Sequence, residues 1–293
     1  MEIKEFYHDA IDGTKLFFRE WIPNGDIKGV LCIIHGLGDH SNWYSGLVNY
    51  INKNKFAVIA FDLRGHGKSE GKRGHTPSYE IFMDDIDILL NFAKKHFGKV
   101  PTFFYGHSFG GNLTLNYVLR RKPDINGVII SSPWLSLYSD PPKSKLYFTF
   151  LLNKIWPSFL VDNIVNEAAL SHNPDILQAY SNDPLTHSCI SARLFTTAYR
   201  AGLWAIDNAS NFNVPLLLIH GDSDKITSSE KSKLFAEKVP NNLCTIKIYE
   251  GLYHSLHNEL CNKKIFSNIG EWISKTVSSN IGAANSISHE LHS

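Results

Sequence analysis

Five short apolar runs, each closed by glycine, serine or aspartate, constrain this chain more than any other feature. They read GVLCIIHG from Gly29, FAVIAFD from Phe56, PTFFYGHS from Pro101, GVIISS from Gly127 and VPLLLIHGD from Val214. An apolar run of this length without polar alternation suits a strand covered on both faces. Helical patterns lie between the runs. One spans Asn42 to Lys53. Another, SYEIFMDDIDILLNFAKKHF, is amphipathic and turns Ile81, Ile86, Leu89, Leu90 and Phe92 towards a core. A third, SFGGNLTLNYVLRRK, is stopped by Pro123. Strands alternating with helices predict an α/β domain: a mostly parallel central sheet, right-handed crossovers and helices on both faces. At the N-terminus, Ile3–Phe6 and Lys15–Trp21 flank Asp12-Gly13, a turn dipeptide, and read as a hairpin.

The rhythm breaks after Ser132. From Pro133 to Ala205 no buried strand pattern occurs, and proline and aromatic residues are dense. It resumes with VPLLLIHGD, a helix near Ser228–Lys238, the strand CTIKIYEG and a last helix from Asn258 to Thr276. The expected organisation is therefore a core in two parts, 1–132 and 206–277, a cap or lid inserted at 133–205, and a small polar tail at 278–293 that frays.

Hydrophobic residues make up 43% of the 293 and charged residues 19%, enough for a sizeable core. The net charge of +1, with no long basic run, excludes the clustered cations that nucleic acid binding needs. The four cysteines form no C-x-x-C pair, which argues against a zinc or redox motif. Buried free thiols in a reducing compartment are expected, with Cys32 and Cys244 in strands. The N-terminus lacks a signal-peptide pattern, and no apolar segment has the length of a membrane span. The expectation is a cytoplasmic protein that touches membranes peripherally.

The chemistry starts at Gly106-His107-Ser108-Phe109-Gly110, a G-x-S-x-G sequence placed where a strand turns into a helix. A sharp turn there thrusts the Ser108 hydroxyl into the open, and the helix N-terminus favours developing negative charge. The plain alternative is a serine capping a glycine-rich turn. A serine hydroxyl needs a base. Among 14 histidines, position favours His254, in the loop after the last strand, over His257, which opens the final helix. The acid belongs after the preceding strand, where Asp222 and Asp224 are both available; periodicity does not separate them. The loop HGLGDH after the first central strand is placed to supply an oxyanion donor, the Leu37 N–H, beside the N–H of Phe109.

HGLGDHSNWY, FDLRGHGKSEGKRG, YGHSFGGN, SNDPLTHSCISARL, HGDSDKIT and YEGLYHSLHNE occur in this order along nearly the whole chain. In this combination the sequence resembles the α/β-hydrolases of the monoacylglycerol lipase and lysophospholipase branch, grouped with serine aminopeptidase-like (S33) hydrolases. The resemblance implies nucleophile Ser108, acid Asp224 rather than Asp222, base His254, and an oxyanion hole at Leu37 and Phe109. It implies that His35, Gly36, Asp62, Arg64, Gly65, His66 and Gly67 are scaffold residues that fix loops. It implies no metal and no organic cofactor.

The expected activity is serine hydrolysis of lipid carboxylic esters, with monoacylglycerol first and lysophospholipid second. Within the cap, KLYFTFLLNKIWPSFLV is apolar around almost its whole helical circumference. It reads as a helix buried over the site, with an outer face suited to transient contact with a membrane or micelle. Lys143, Lys145 and Lys154 suit anionic head groups or a solvated face. Alternatives on the same fold are a thioesterase, a non-catalytic ligand-binding protein, or an aminopeptidase. An aminopeptidase would hold an amine with cap acids from the set Asp140, Asp162, Glu167, Asp175 and Asp183. Oligomeric state is not legible.

Overall fold

The computed structural model describes residues 1–162 and 166–290. The chain opens with the hairpin β1 (Glu2–Asp9) and β2 (Lys15–Ile22), paired antiparallel about Asp12-Gly13. There follow β3 (Gly29–Ile34), α1 (Ser45–Lys53), β4 (Phe56–Phe61), α2 (Glu80–Phe97), β5 (Thr102–His107), α3 (Phe109–Arg121) and β6 (Gly127–Ser131). A long insertion then carries α4 (Lys143–Ile155), β7 (Leu160–Asp162), α5 (Pro174–Asn182), β8 (Cys189–Ser191) and α6 (Ala192–Asn208). The core resumes with β9 (Leu216–Gly221), α7 (Ser229–Lys238), β10 (Cys244–Tyr249) and α8 (Asn262–Glu290).

Eight strands form one sheet in the order β1-β2-β4-β3-β5-β6-β9-β10, parallel from β4 onwards. The period of a strand explains the two cores. In β3, Val30, Cys32 and Ile34 enter a cluster with α2 and α3, while Leu31 and Ile33 enter one with α1 and α8. Both faces are sealed, so the strand has no polar alternation. The α2 stripe is Phe82, Met83, Ile86, Leu89, Leu90 and Ala93. Phe92 is half-buried and packs against this core as read from sequence, whereas Ile81, also assigned to it, is half-buried and not part of the cluster.

Two further readings change. The helix from KLYFTFLLNKIWPSFLV, α4, has no buried residue; among the described residues its main packing partner is α6, along one side. The last helix does not stop at Thr276 but runs on through Glu290, into the stretch read as tail; residues 291–293 lie outside the described residues. The helix α6 crosses the expected cap boundary at 205 and packs on α3, where Asn112 and Asn116 donate to the carbonyls of Ala198 and Ala201. All four cysteines are free, but only Cys32 is fully buried; Cys261 is exposed. Among the described residues, no helix is long and apolar enough to cross a membrane.

Candidate active site

Ser108 stands between β5 and α3 with φ 54° and ψ −117°, a conformation that a non-glycine residue rarely holds. Its neighbours over-determine it. Its N–H donates to Ser131 O at 2.9 Å, and its carbonyl accepts from Trp134 N at 2.9 Å and Asn112 N at 3.0 Å. Gly110 has no room for a side chain, since a Cβ there would strike the carbonyls of Ile34 and His35. The elbow therefore sits tight against the end of β3.

Asp224 follows β9 and is sealed from solvent. Its Oδ1 accepts from Ile226 N at 2.7 Å and Thr227 N at 3.0 Å. Its Oδ2 accepts from His254 Nδ1 at 2.7 Å, Thr227 Oγ1 at 2.9 Å and His220 Nε2 at 3.0 Å. Burial alone would raise its pKa, but the charge of His254 and the hydrogen bonds from His220 and His254 hold it well below the carboxylate range. Asp222, its rival in sequence, is exposed and accepts from Gly251 N at 2.7 Å, bracing the loop before His254.

The His254 imidazole is bound to Asp224 through Nδ1, its Nε2 makes no hydrogen bond among the described residues, and it lines the same cavity as Ser108. Ser132 Oγ donates to the His254 carbonyl at 2.8 Å and fixes its loop. His257 takes no part in this bonding. It is buried, stacks on Tyr44 at 4.4 Å between centroids, and neither ring nitrogen has a hydrogen-bond partner among the described residues. Burial, then His254, drives its pKa down to about 3. His107 is likewise pushed well down by burial, then by His257 and His254. Both rings stay neutral beside His254.

Leu37 lines the cavity beside Gly36, and Phe109 is the first residue of α3. Among the described residues neither N–H donates within the protein. The loop is fixed by His35, whose Nδ1–H donates to Gly36 O at 2.8 Å and whose Nε2 accepts from Leu63 N at 2.8 Å. Asp62 accepts from Ser41 N and Lys68 N, both at 2.8 Å. Arg64 clamps Asp85 with two bonds and reaches Asp12 with a third.

The cavity has a volume of about 290 Å³. Trp134, Leu137, Leu170, Phe195 and Ile226 supply apolar lining, while Asp39, Glu167 and Asp183 supply carboxylates. No Lys or Arg lines it among the described residues. Asp183 tethers the insertion to the core through His40 Nε2 at 2.9 Å, and Glu167 accepts from Ser181. Of the other acids raised from sequence, Asp140 and Asp175 are exposed away from the cavity, and the Asp162 side chain lies outside the described residues. The sequence reading passed over His220, Thr227 and Asp39. Only His220, four residues before Asp224 in HGDSD, carried a readable signal, and it needed the turn geometry to be recognised.

The family model described as serine aminopeptidase, S33, matches residues 25–261. An abhydrolase domain-containing protein of Dictyostelium discoideum is 35% identical over 268 residues, 91% of this chain and 28% of that longer protein. The monoglyceride lipase of Homo sapiens is 31% identical over 276 residues, covering 90% of this chain and 88% of that one. The crystal structure of the Paleococcus ferrophilus monoacylglycerol lipase superposes with a TM-score of 0.82 at 33% identity, over 89% of this chain and 99% of that chain. The strained serine turn, the sheet order and these likenesses agree: the chain belongs to the serine aminopeptidase S33 family of α/β-hydrolases.

Proposed function

We propose that this protein hydrolyses lipid carboxylic esters through a Ser108–His254–Asp224 triad and an acyl-enzyme, with monoacylglycerol as its substrate class. The observation that carries the reading is His254 held at 2.7 Å by Asp224 on the wall that also presents strained Ser108. His254 Nε2 takes the proton as Ser108 Oγ attacks the ester carbonyl. The N–H groups of Leu37 and Phe109 receive the oxyanion, and the imidazolium is stabilised by Asp224. His254 then protonates the departing glycerol oxygen. A water deprotonated by His254 releases the fatty acid and restores Ser108.

The lining supports glycerol over a phosphate-bearing head group. A phosphate would face Asp39, Glu167 and Asp183 with no lining cation to neutralise it. The named lipases among the relatives support the same class. The insertion acts as a lid in this reading. On α4 and just beyond it, Tyr147, Phe148, Leu151, Ile155 and Trp156 are exposed together, a patch suited to the surface of a membrane or micelle. Four free cysteines suit a cytoplasmic setting.

Hydrolysis rates on monoacylglycerol and lysophospholipid of matched chain length, for wild type and Ser108→Ala, test the proposal. Cleavage of the neutral lipid by wild type alone is expected. Equal turnover of both lipids would overturn the head-group assignment, and turnover by the variant would overturn the nucleophile. One observation favours a second reading, an aminopeptidase: Glu167 and Asp183, two of the cap acids an amine would need, do line the cavity. Release of a free N-terminal residue from a peptide at rates matching the lipid would favour it.

A further inference from the structure

We propose that His220 is a positioning residue for the triad, a second imidazole whose N–H bond to Asp224 sets how strongly that carboxylate binds His254. The inference rests on the triad reading above and adds a member to it.

Asp224 is an acceptor-only carboxylate, so the His220 Nε2 that lies 3.0 Å from its Oδ2 carries the proton and donates. The other ring nitrogen, Nδ1, lies 2.8 Å from Ser232 Oγ on α7 and accepts from that hydroxyl. The relay runs from helix to site: Ser232 O–H to His220, His220 N–H to Asp224, with His254 N–H on the same oxygen. Ser232 fixes the tautomer, as a second-sphere partner does for a metal-bound imidazole.

His257 shows what a merely packed histidine looks like in this molecule. It is stacked and buried, with neither ring nitrogen bonded among the described residues. His220 is also fully buried, yet both of its nitrogens are engaged, one of them on the acid itself. An apolar residue would fill the end of β9 without needing two polar partners.

The bond has a chemical consequence. Asp224 Oδ2 shares its negative charge among three donors, His254, Thr227 and His220. Removing the His220 donor concentrates that charge on the His254 Nδ1–H and favours the imidazolium. The base is then protonated over a wider range of pH. The other titratable groups facing His254 are His107, at 4.8 Å between ring centroids, and His257; both are held neutral and do not compensate. The bond adds to the Ile226 and Thr227 donors that already hold the carboxylate's orientation, so its distinct effect is on the charge that Oδ2 presents to His254.

The test compares full-length wild type with His220→Leu, His220→Gln and Ser232→Ala. Rates are expressed per active site, counted by covalent labelling of Ser108 with a fluorophosphonate, and measured across pH on a soluble ester. His220→Leu should lose roughly ten- to a hundredfold in kcat, the range for one charge-assisted hydrogen bond. Its acid limb of kcat/KM should move up by roughly half to one pH unit. The glutamine amide reaches the same oxygen, so His220→Gln should restore kcat to within about fivefold of wild type and return the limb to its wild-type position. Ser232→Ala should fall between wild type and the leucine variant.

A leucine variant with fewer labelled sites, but a wild-type rate and pH profile per site, would overturn the inference and leave His220 a packing residue. Glutamine and leucine variants equally impaired would overturn it as well. If the leucine variant yields no folded protein, the glutamine and Ser232→Ala pH profiles decide, and an unmoved limb in Ser232→Ala with an impaired glutamine variant rejects it. Failure of the triad itself is read separately, from an active Ser108→Ala enzyme.

Discussion

In β3, six consecutive residues are sealed from solvent; in α4, whose apolar residues are interspersed with lysine, serine, threonine and asparagine, not one residue is buried. The difference lies in what each segment packs against. The strand has helices above and below it and strands on both sides. The cap helix has α6 as its main packing partner among the described residues, and its other sides are largely exposed. A residue surrounded on all sides has one position available, and the sheet uses that rigidity to hold Ser108, Asp224 and His254 at the ends of β5, β9 and β10. The insertion contributes cavity lining and tethers to the core, such as Asp183 with His40. The serine turn and its partners lie on the sealed sheet, whereas the exposed α4 belongs to the insertion.

The sharpest break between the two regions should be in rate. Ser108→Ala is expected to lose on the order of 10⁴-fold or more in kcat/KM, and Asp224→Asn about 10³- to 10⁴-fold. Steady-state kinetics on a soluble ester measures this, and a loss under tenfold for either would remove that residue from the chemistry. The two regions should also differ in stability. Leu31→Ala, in β3, should cost about 2–5 kcal/mol, whereas Leu151→Ala, on α4, should stay within about 0.5 kcal/mol. Urea unfolding of both variants decides; equal costs would mean that α4 is packed against something else in solution.

The third prediction concerns pH and a group between the two regions. Asp39 lines the cavity, and burial lifts its carboxyl to about 6 despite His40 and the Tyr44 hydroxyl. Its folded value lies above its unfolded one. Its contribution to stability is therefore full below about pH 4 and lost as pH rises through 6, a swing of up to about 3 kcal/mol. Asp224 has the opposite sign, since its depressed value makes stability fall only as acid protonates it. Asp39→Asn should gain on wild type between pH 4 and 7. The buried histidines cancel in that difference, which unfolding curves at several pH values would give. A constant difference would contradict the assignment.

The smallest effect is expected at the cap surface. Replacing Tyr147, Phe148 and Trp156 by serine should lower activity on substrate in vesicles by roughly tenfold through lost apolar burial. Hydrolysis of a soluble short-chain ester should stay within about twofold. Parallel losses on both substrates would tie these residues to folding rather than to a lipid surface.

Much of the core was legible because it repeats a local code. Unbroken apolar runs marked the parallel strands, Asp12-Gly13 marked the hairpin, and G-x-S-x-G at a strand–helix junction marked Ser108. The α2 stripe shows the limit of that code. Phe82 and Met83, not Ile81, face the core, because the angle at which a helix meets a sheet is set by its neighbours. The order of Asp222 and Asp224 also had no local answer: both follow β9, and only the turn aims one at His254 and the other at the backbone of Gly251.

By itself the sequence determined the alternation of strands and helices, the place of the serine turn and the chain order of its partners, because period and turn chemistry act over a few residues. The tertiary structure decided that His220 also meets Asp224 and that α4 faces outwards, and it showed how the turn brings Asp224, the acid the resemblance had implied, to His254. Those outcomes depend on contacts between segments far apart in the chain: Asp224 with His254, Ser132 with the His254 loop, and α4 with α6.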